Sequence, residues 1–148
     1  MGYDAKTGKL NFSTKSGILV DLELKYNKVI VGGDSATGKT FICNFIETVQ
    51  NEISYDSAYD FSNIFVLRKQ NVEKLCKLNN HLIIIDRADV LLNESLVRTI
   101  NDDKSNHYLI FARGVTGIIS TPNNYAKIVR EDKTLKLEYL FNERGWNL

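Results

Sequence analysis

The stretch Val29-Ile30-Val31-Gly32-Gly33-Asp34-Ser35-Ala36-Thr37-Gly38-Lys39-Thr40-Phe41-Ile42 joins a short β-branched run to a glycine-bounded loop and then to a helical pattern. Val29, Ile30 and Val31 read as a buried strand. Beyond the loop, Phe41, Ile42, Phe45, Ile46, Val49 and Ile53 recur at helical spacing, so the loop opens into an amphipathic helix. Gly33 to Thr40 match the phosphate-cradling pattern G-x-x-x-x-G-K-S/T. The amides of a first helical turn and the positive end of the helix dipole favour an anion in front of them. Gly33 and Gly38 let the backbone come close to phosphate oxygens. Gly33, Asp34, Ser35, Ala36, Thr37, Gly38, Lys39, Thr40 and Phe41 are therefore the expected nucleotide-binding residues. Lys39 is expected to reach the β- and γ-phosphates, and the Thr40 hydroxyl to ligate a magnesium ion. An ordinary glycine-rich turn with an incidental lysine would leave the flanking strand and helix as coincidence.

On the N-terminal side, Val20, Leu22, Leu24 and Tyr26 alternate with Asp21, Glu23 and Lys25, the period-two pattern of a strand with one buried face. Leu10 to Ser13 is placed to pair with it across Thr14 to Gly17, which predicts an antiparallel hairpin over residues 1–27. After the helix, Ser54 to Asp60 reads as a loop and Ile64 to Leu67 as a strand. Val72, Leu75 and Cys76 suit a short helix stopped by Asn79-Asn80. His81-Leu82-Ile83-Ile84-Ile85-Asp86 is an uninterrupted apolar run ending in an acid, as a parallel strand covered on both faces requires. A helix over Glu94 to Asn101, a turn at Asn101 to Asn106 and a strand over Tyr108 to Ala112 follow. The last segment, 114–148, predicts short strands, with Leu135, Leu137, Tyr139 and Phe141 on alternate positions, and a brief helix near Tyr125 to Val129. The alternation of strand and helix across 28–113 predicts an α/β domain with a mostly parallel sheet.

In such sheets ligands bind beyond the carboxyl ends of the strands. Asp86 ends its strand where an acid would hold the magnesium ion of a bound nucleotide. Gly33 to Thr40 and Leu82 to Asp86 together resemble the Walker A and Walker B elements of P-loop NTPases, over about Val29 to Arg113. In style the chain is similar to small AAA-like bacterial ATP-binding proteins. The resemblance implies a three-layer P-loop NTPase-like fold around a mostly parallel sheet, with ATP and Mg²⁺ as cofactors. In AAA-type relatives a further strand separates the two motif strands. Related ATPases place a glutamate directly after the metal-side acid, and Arg87 stands there instead. Asp89 is the nearest carboxylate to position a water, provided the chain turns it back over the phosphates; otherwise it is a loop or capping acid. Arg113 ends the strand after Asp86, where a polar side chain often senses the γ-phosphate, or else it pairs with Asp86 or Asp89. Ser120 and Thr121 line the same edge or simply make a turn before Pro122, and Arg130 and Arg144 are arginine-finger candidates or solvated charges. Without an N/T-K-x-D tetrapeptide after Asp86, ATP is preferred over GTP.

With 148 residues the chain is one domain's worth of sequence. Nineteen basic and 18 acidic residues leave a formal charge of +1, so no global field points to nucleic acid or membrane. Cys43 and Cys76 read as buried thiols, and His81 and His107 as strand-end residues without a metal-spaced partner. No apolar run approaches ~18 residues and the start is polar, so a cytoplasmic protein is expected. The expected function is Mg-ATP binding, with slow hydrolysis or a nucleotide-dependent switch acting on a macromolecular partner or within a homo-oligomer. Lys39, Asp89 and Arg113 carry the chemistry in that reading, and Thr40 and Asp86 the metal. The alternatives are a small-molecule kinase, suggested by Asp86-Arg87, and a structural module that binds nucleotide without chemistry.

Overall fold

The apolar runs become strands because burial on both faces leaves their amides and carbonyls no partner except a neighbouring strand. The computed structural model describes residues 1–32, 38–52, 58–114, 116–142 and 145–146. Gly33 to Thr37, Ile53 to Ser57 and Arg144 lie outside the described residues. In chain order the elements are β1 (Gly2–Asp4), β2 (Lys9–Ser13), β3 (Leu19–Glu23), β4 (Lys28–Val31), α1 (Lys39–Asn51) and β5 (Ile64–Leu67). A 3-10 helix (Lys69–Lys77), β6 (Leu82–Ile85), α2 (Ala88–Leu91), α3 (Glu94–Asp102) and β7 (His107–Phe111) follow. A 3-10 turn (Pro122–Asn124) leads into β8 (Tyr125–Glu131) and β9 (Thr134–Tyr139), and β10 (Phe141–Asn142) pairs with β11 (Gly145–Trp146).

Nine strands form one sheet in the order β1-β2-β3-β9-β8-β4-β7-β6-β5. The run β4-β7-β6-β5 is parallel throughout, and every residue of β4 and β6 is buried. Strand β7 lies between β4 and β6, its Ile110 opposite Ile30 on one side and Ile85 on the other. The remaining strands are mixed: β1, β2 and β3 are antiparallel in turn, β3 runs parallel to β9, β9 antiparallel to β8, and β8 parallel to β4.

This arrangement corrects the expected three-layer α/β fold with a mostly parallel sheet and an N-terminal hairpin. Strands β2 and β3 pair across the turn 14–18, but β1 adds outside them and β3 joins β9, so the N-terminal strands belong to the one mixed sheet. That sheet curls until it nearly closes. Gly2 bridges in parallel to Asp60, just ahead of β5; the Asp60 amide donates to Met1 O at 2.8 Å, and Asn63 Nδ2 donates to Tyr3 O at 2.8 Å. The reason lies in the alternating strands. Leu10, Phe12, Val20, Leu22, Ala126, Ile128 and Leu135 are buried while Lys9, Asn11, Glu23, Lys127 and Lys136 face solvent, so these strands need apolar cover on one side only. Helix α1 supplies it from inside the curve, with Ile42, Cys43 and Ile46 buried against the strands and Phe45 stacked on Phe12 at 5.0 Å. A second core on the other face of the parallel strands packs Ile83, Ile85, Tyr108 and Ile110 against Leu75, Ala88 and Ile100.

Two local expectations also change. Tyr125 to Val129 is strand, not helix, since buried Ala126 and Ile128 alternate with exposed Tyr125 and Lys127. Cys43 is buried, but Cys76 is exposed near the end of its 3-10 helix. His81 precedes β6 and His107 opens β7.

The closure of the sheet admits no side chain at Gly2, where a Cβ would lie 2.2 Å from Asp60 O. Gly2→Ala is expected to cost roughly 1–3 kcal/mol in denaturant unfolding and to speed hydrogen exchange at the Asp60 amide.

A second prediction concerns acid. The Tyr3 hydroxyl and His107 Nδ1 share a hydrogen bond, and burial holds the His107 imidazole below its ordinary pKa. The folded state therefore binds the proton less readily than the unfolded chain. This contribution is complete above the unfolded value of about 6.5 and is lost as pH falls through the lowered folded value. His107→Asn, which keeps an acceptor near the Nδ1 position, is expected to flatten stability measured between about pH 7.5 and 5.

Candidate functional site

Four neighbouring parallel strands end at the same edge of the sheet, so the residues following β4, β5, β6 and β7 meet there. These are Gly32, Arg68, Asp86 and Ala112-Arg113. Helix α1 begins beside them. Its N-cap, Gly38, sits at φ 102, a left-handed conformation that disfavours other residues, and a Cβ there would come within 3.1 Å of Leu135 Cδ1. Gly38 has no side chain with which to cap the helix and the first turn holds no acid, so among the described residues of the helix start nothing offsets the positive end of its dipole. The Phe41 ring packs toward the core against Phe45.

Lys39 is 8% exposed, and its Nζ donates to Gly32 O at 3.2 Å, 6.0 Å from the centre of the Phe111 ring. The ammonium therefore stands over the ends of β4 and β7. A cavity of about 350 Å³ opens beside it, lined by Lys39 and Thr40 of α1, Asp86 and Arg87 after β6, and Phe111, Ala112 and Arg113 at the end of β7. Lys39-Thr40, Asp86 and Arg113, from three segments remote in sequence, share this cavity.

The turn after Asp86 decides the fate of Asp89. Arg87 adopts φ 55, ψ 53, a left-handed conformation that swings the chain from β6 into α2. Asp89 does come back toward the strand ends, and there its Oδ1 accepts from the Arg113 amide at 3.1 Å. That hydrogen bond is the main reason its carboxyl is held below the usual carboxylate range. Asp89 is not among the residues lining the cavity. Arg113 lines it, and its guanidinium forms no ion pair with Asp86 or Asp89; its main-chain amide is the group bonded to Asp89.

The other candidates lie outside this cavity. Thr121 and Asn124 hydrogen-bond each other around the Pro122–Asn124 turn, Ser120 Oγ contacts the Tyr125 hydroxyl at 3.2 Å, and Arg130 Nε donates to Asp132 O at 2.9 Å in the β8-β9 turn. Glu94 lies in the first turn of α3, beside the Asn93 cap.

No family model, curated protein or solved structure matches the chain. The site is therefore read from its own chemistry. Among the described residues no cluster of three or more His, Cys, Asp or Glu side chains could hold a metal by itself. Thr40 and Asp86, a hydroxyl and a carboxylate in one cavity, instead fit a magnesium ion that takes one or two protein oxygens and fills its shell with phosphate and water.

One group at the strand ends escaped the sequence reading. Arg68 follows β5 and grips Glu47 of α1, Nη2 to Oε1 at 2.6 Å and Nε to Oε2 at 3.2 Å, tying the helix to the sheet. Next to them the Cys43 thiol is pushed up to about 12, by burial first and then by the charge of Asp86. The rule that led to Asp86 and Arg113, to inspect whatever ends a strand, would have found Arg68 as well.

If Asp89 anchors the end of β7, Asp89→Ala should raise the hydrogen-exchange rate of the Arg113 amide about fivefold or more. Asp89→Asn keeps an acceptor and should leave most of the protection; equal loss in both variants would point to the charge instead.

Proposed function

We propose that this chain binds Mg-ATP and acts as a nucleotide-dependent switch on a macromolecular partner, with hydrolysis slow or absent. The observation carrying the reading is the single cavity shared by Lys39, Thr40, Asp86 and Arg113 at the carboxyl ends of parallel strands. A buried ammonium beside a helix N-terminus favours a polyphosphate, and the hydroxyl and carboxylate in the same cavity suit the accompanying magnesium. Strand β7 between β4 and β6 agrees with the separated motif strands of AAA-type proteins. Magnesium, when bound, would offset phosphate charge. Lys39 would hold the phosphates, Asp86 would orient the metal's water shell, and Arg113 would approach the terminal phosphate.

Weak turnover follows from two features. Arg87 occupies the position of a water-polarising glutamate, and the carboxylate of Asp89 is already engaged by the Arg113 amide. The same hydrogen bond supports switching, because it couples the turn after Asp86 to the end of β7. Val90 on α2 and Ile119 beyond Arg113 hold apolar side chains in solvent at 66% and 77% exposure, on the two segments a nucleotide would shift. These are the contacts proposed for the partner. No helix among the described residues is long and apolar enough to cross a membrane, and both cysteines are free thiols, in keeping with a cytoplasmic setting.

Lys39→Ala is expected to weaken Mg-ATP binding at least about tenfold, the value of a charge-assisted phosphate contact, as read by calorimetry on folded protein. Unchanged affinity would sink the reading. Arg87 in the same cavity favours a second reading, phosphoryl transfer to a small acceptor. ATP consumption that requires an added nucleoside or nucleotide would replace the switch with a kinase.

A further inference from the structure

We infer that a second cavity, on the far side of Arg113, is the subsite for the nucleobase; this deepens the Mg-ATP reading and rests on it. The cavity measures about 500 Å³, and Ala112 and Arg113 line both it and the cavity of Lys39. The two differ sharply in chemistry. Lys39, Asp86 and Arg87 charge the first, whereas Arg113, on the shared wall, is the charged residue among those lining the second. Ile30, Ala112 and Ile118 supply buried apolar surface there, at 5%, 5% and 7% exposure. Tyr125 at the start of β8 adds a part-exposed aromatic ring, and Gly32 and Gly114 leave backbone uncovered.

An ATP molecule has the same division: an anionic tail and a neutral, planar, aromatic head with hydrogen-bonding edges. An aromatic ring and apolar side chains take the faces of such a base, and bare backbone amides and carbonyls can meet its edges. Residues 117–120 beside it are hydrogen-bonded to their neighbours. Asn101 of α3 accepts from the Ile119 amide at 2.8 Å and donates to Gly117 O at 3.4 Å, and the Tyr125 hydroxyl meets Ser120 Oγ at 3.2 Å. A base in this subsite would leave Arg113 on the wall between the base and the phosphate chain.

Calorimetric titration of the full chain with Mg-ATP and with Mg-tripolyphosphate, an anion without a base, reads the two cavities separately. The wild-type chain is expected to bind Mg-ATP at least about tenfold more tightly than Mg-tripolyphosphate. Tyr125→Ala should erase that preference and leave tripolyphosphate binding within about twofold, while Tyr125→Phe, which keeps the ring, should retain it. Equal wild-type affinities, or a preference that survives Tyr125→Ala, would overturn the subsite and leave the phosphate reading standing. Loss of both ligands in Tyr125→Ala would also overturn it, by assigning the ring to the fold. Binding of neither ligand to the wild-type chain would overturn the phosphate reading and the subsite together.

Discussion

Burial of β4, β6 and β7 on both faces is the constraint from which the rest follows. A strand with no solvent face must pair its backbone with other strands along its length, or leave amides and carbonyls unsatisfied at about 1–3 kcal/mol each. Here the solution is a parallel block, β4-β7-β6-β5, and parallel strands end together. Asp86, Arg113 and the start of α1 share one edge for that reason. The cavity with Lys39 is a product of backbone hydrogen bonding before any side chain acts in it.

The second constraint is that α1 must bury a wide apolar face. A flat sheet would cover only part of it. The alternating strands β2, β3, β9 and β8 bring their apolar faces round to meet it, and their lysines, glutamates and asparagine remain outside in water. Curvature then carries β1 toward the segment before β5, where Gly2 and Asp60 can touch. The Arg68-Glu47 pair fastens the same helix to β5 at the edge where the parallel strands end. Helix, closure and strand-end residues are therefore mechanically one unit.

Most strands were legible because their signals are local. The run Leu82 to Ile85, the alternation through Leu22 and the helical spacing of Ile42 and Ile46 can each be read within a few residues. The architecture was not legible, since it depends on which strands become neighbours. Nothing near Leu19 announces Thr134 as its partner in register, and the parallel segment alone suggested layers where the whole sheet curls. Tyr125 to Val129 was misread because short apolar spacings serve helix and strand alike, and only the burial of Ala126 and Ile128 separates them. At the site, the phosphate-cradling pattern led to Lys39 and Thr40 and the apolar run to Asp86. The bond from Asp89 to the Arg113 amide depends on a left-handed Arg87, which no residue type signals.

The parallel pairing of β3 with β9 has a consequence for synthesis on the ribosome. The two elements meet across long stretches of chain; the Lys25 amide, for instance, bonds the Tyr139 hydroxyl 114 residues away. At translation speeds of about 5–20 residues per second, the far edge of β3 waits roughly 6–20 s for its neighbour to be made. During that interval the first three strands present an open ladder, a template for any other strand in reach. Asp21 and Glu23 place charged side chains along that edge, the means by which an unpaired strand is blunted against association.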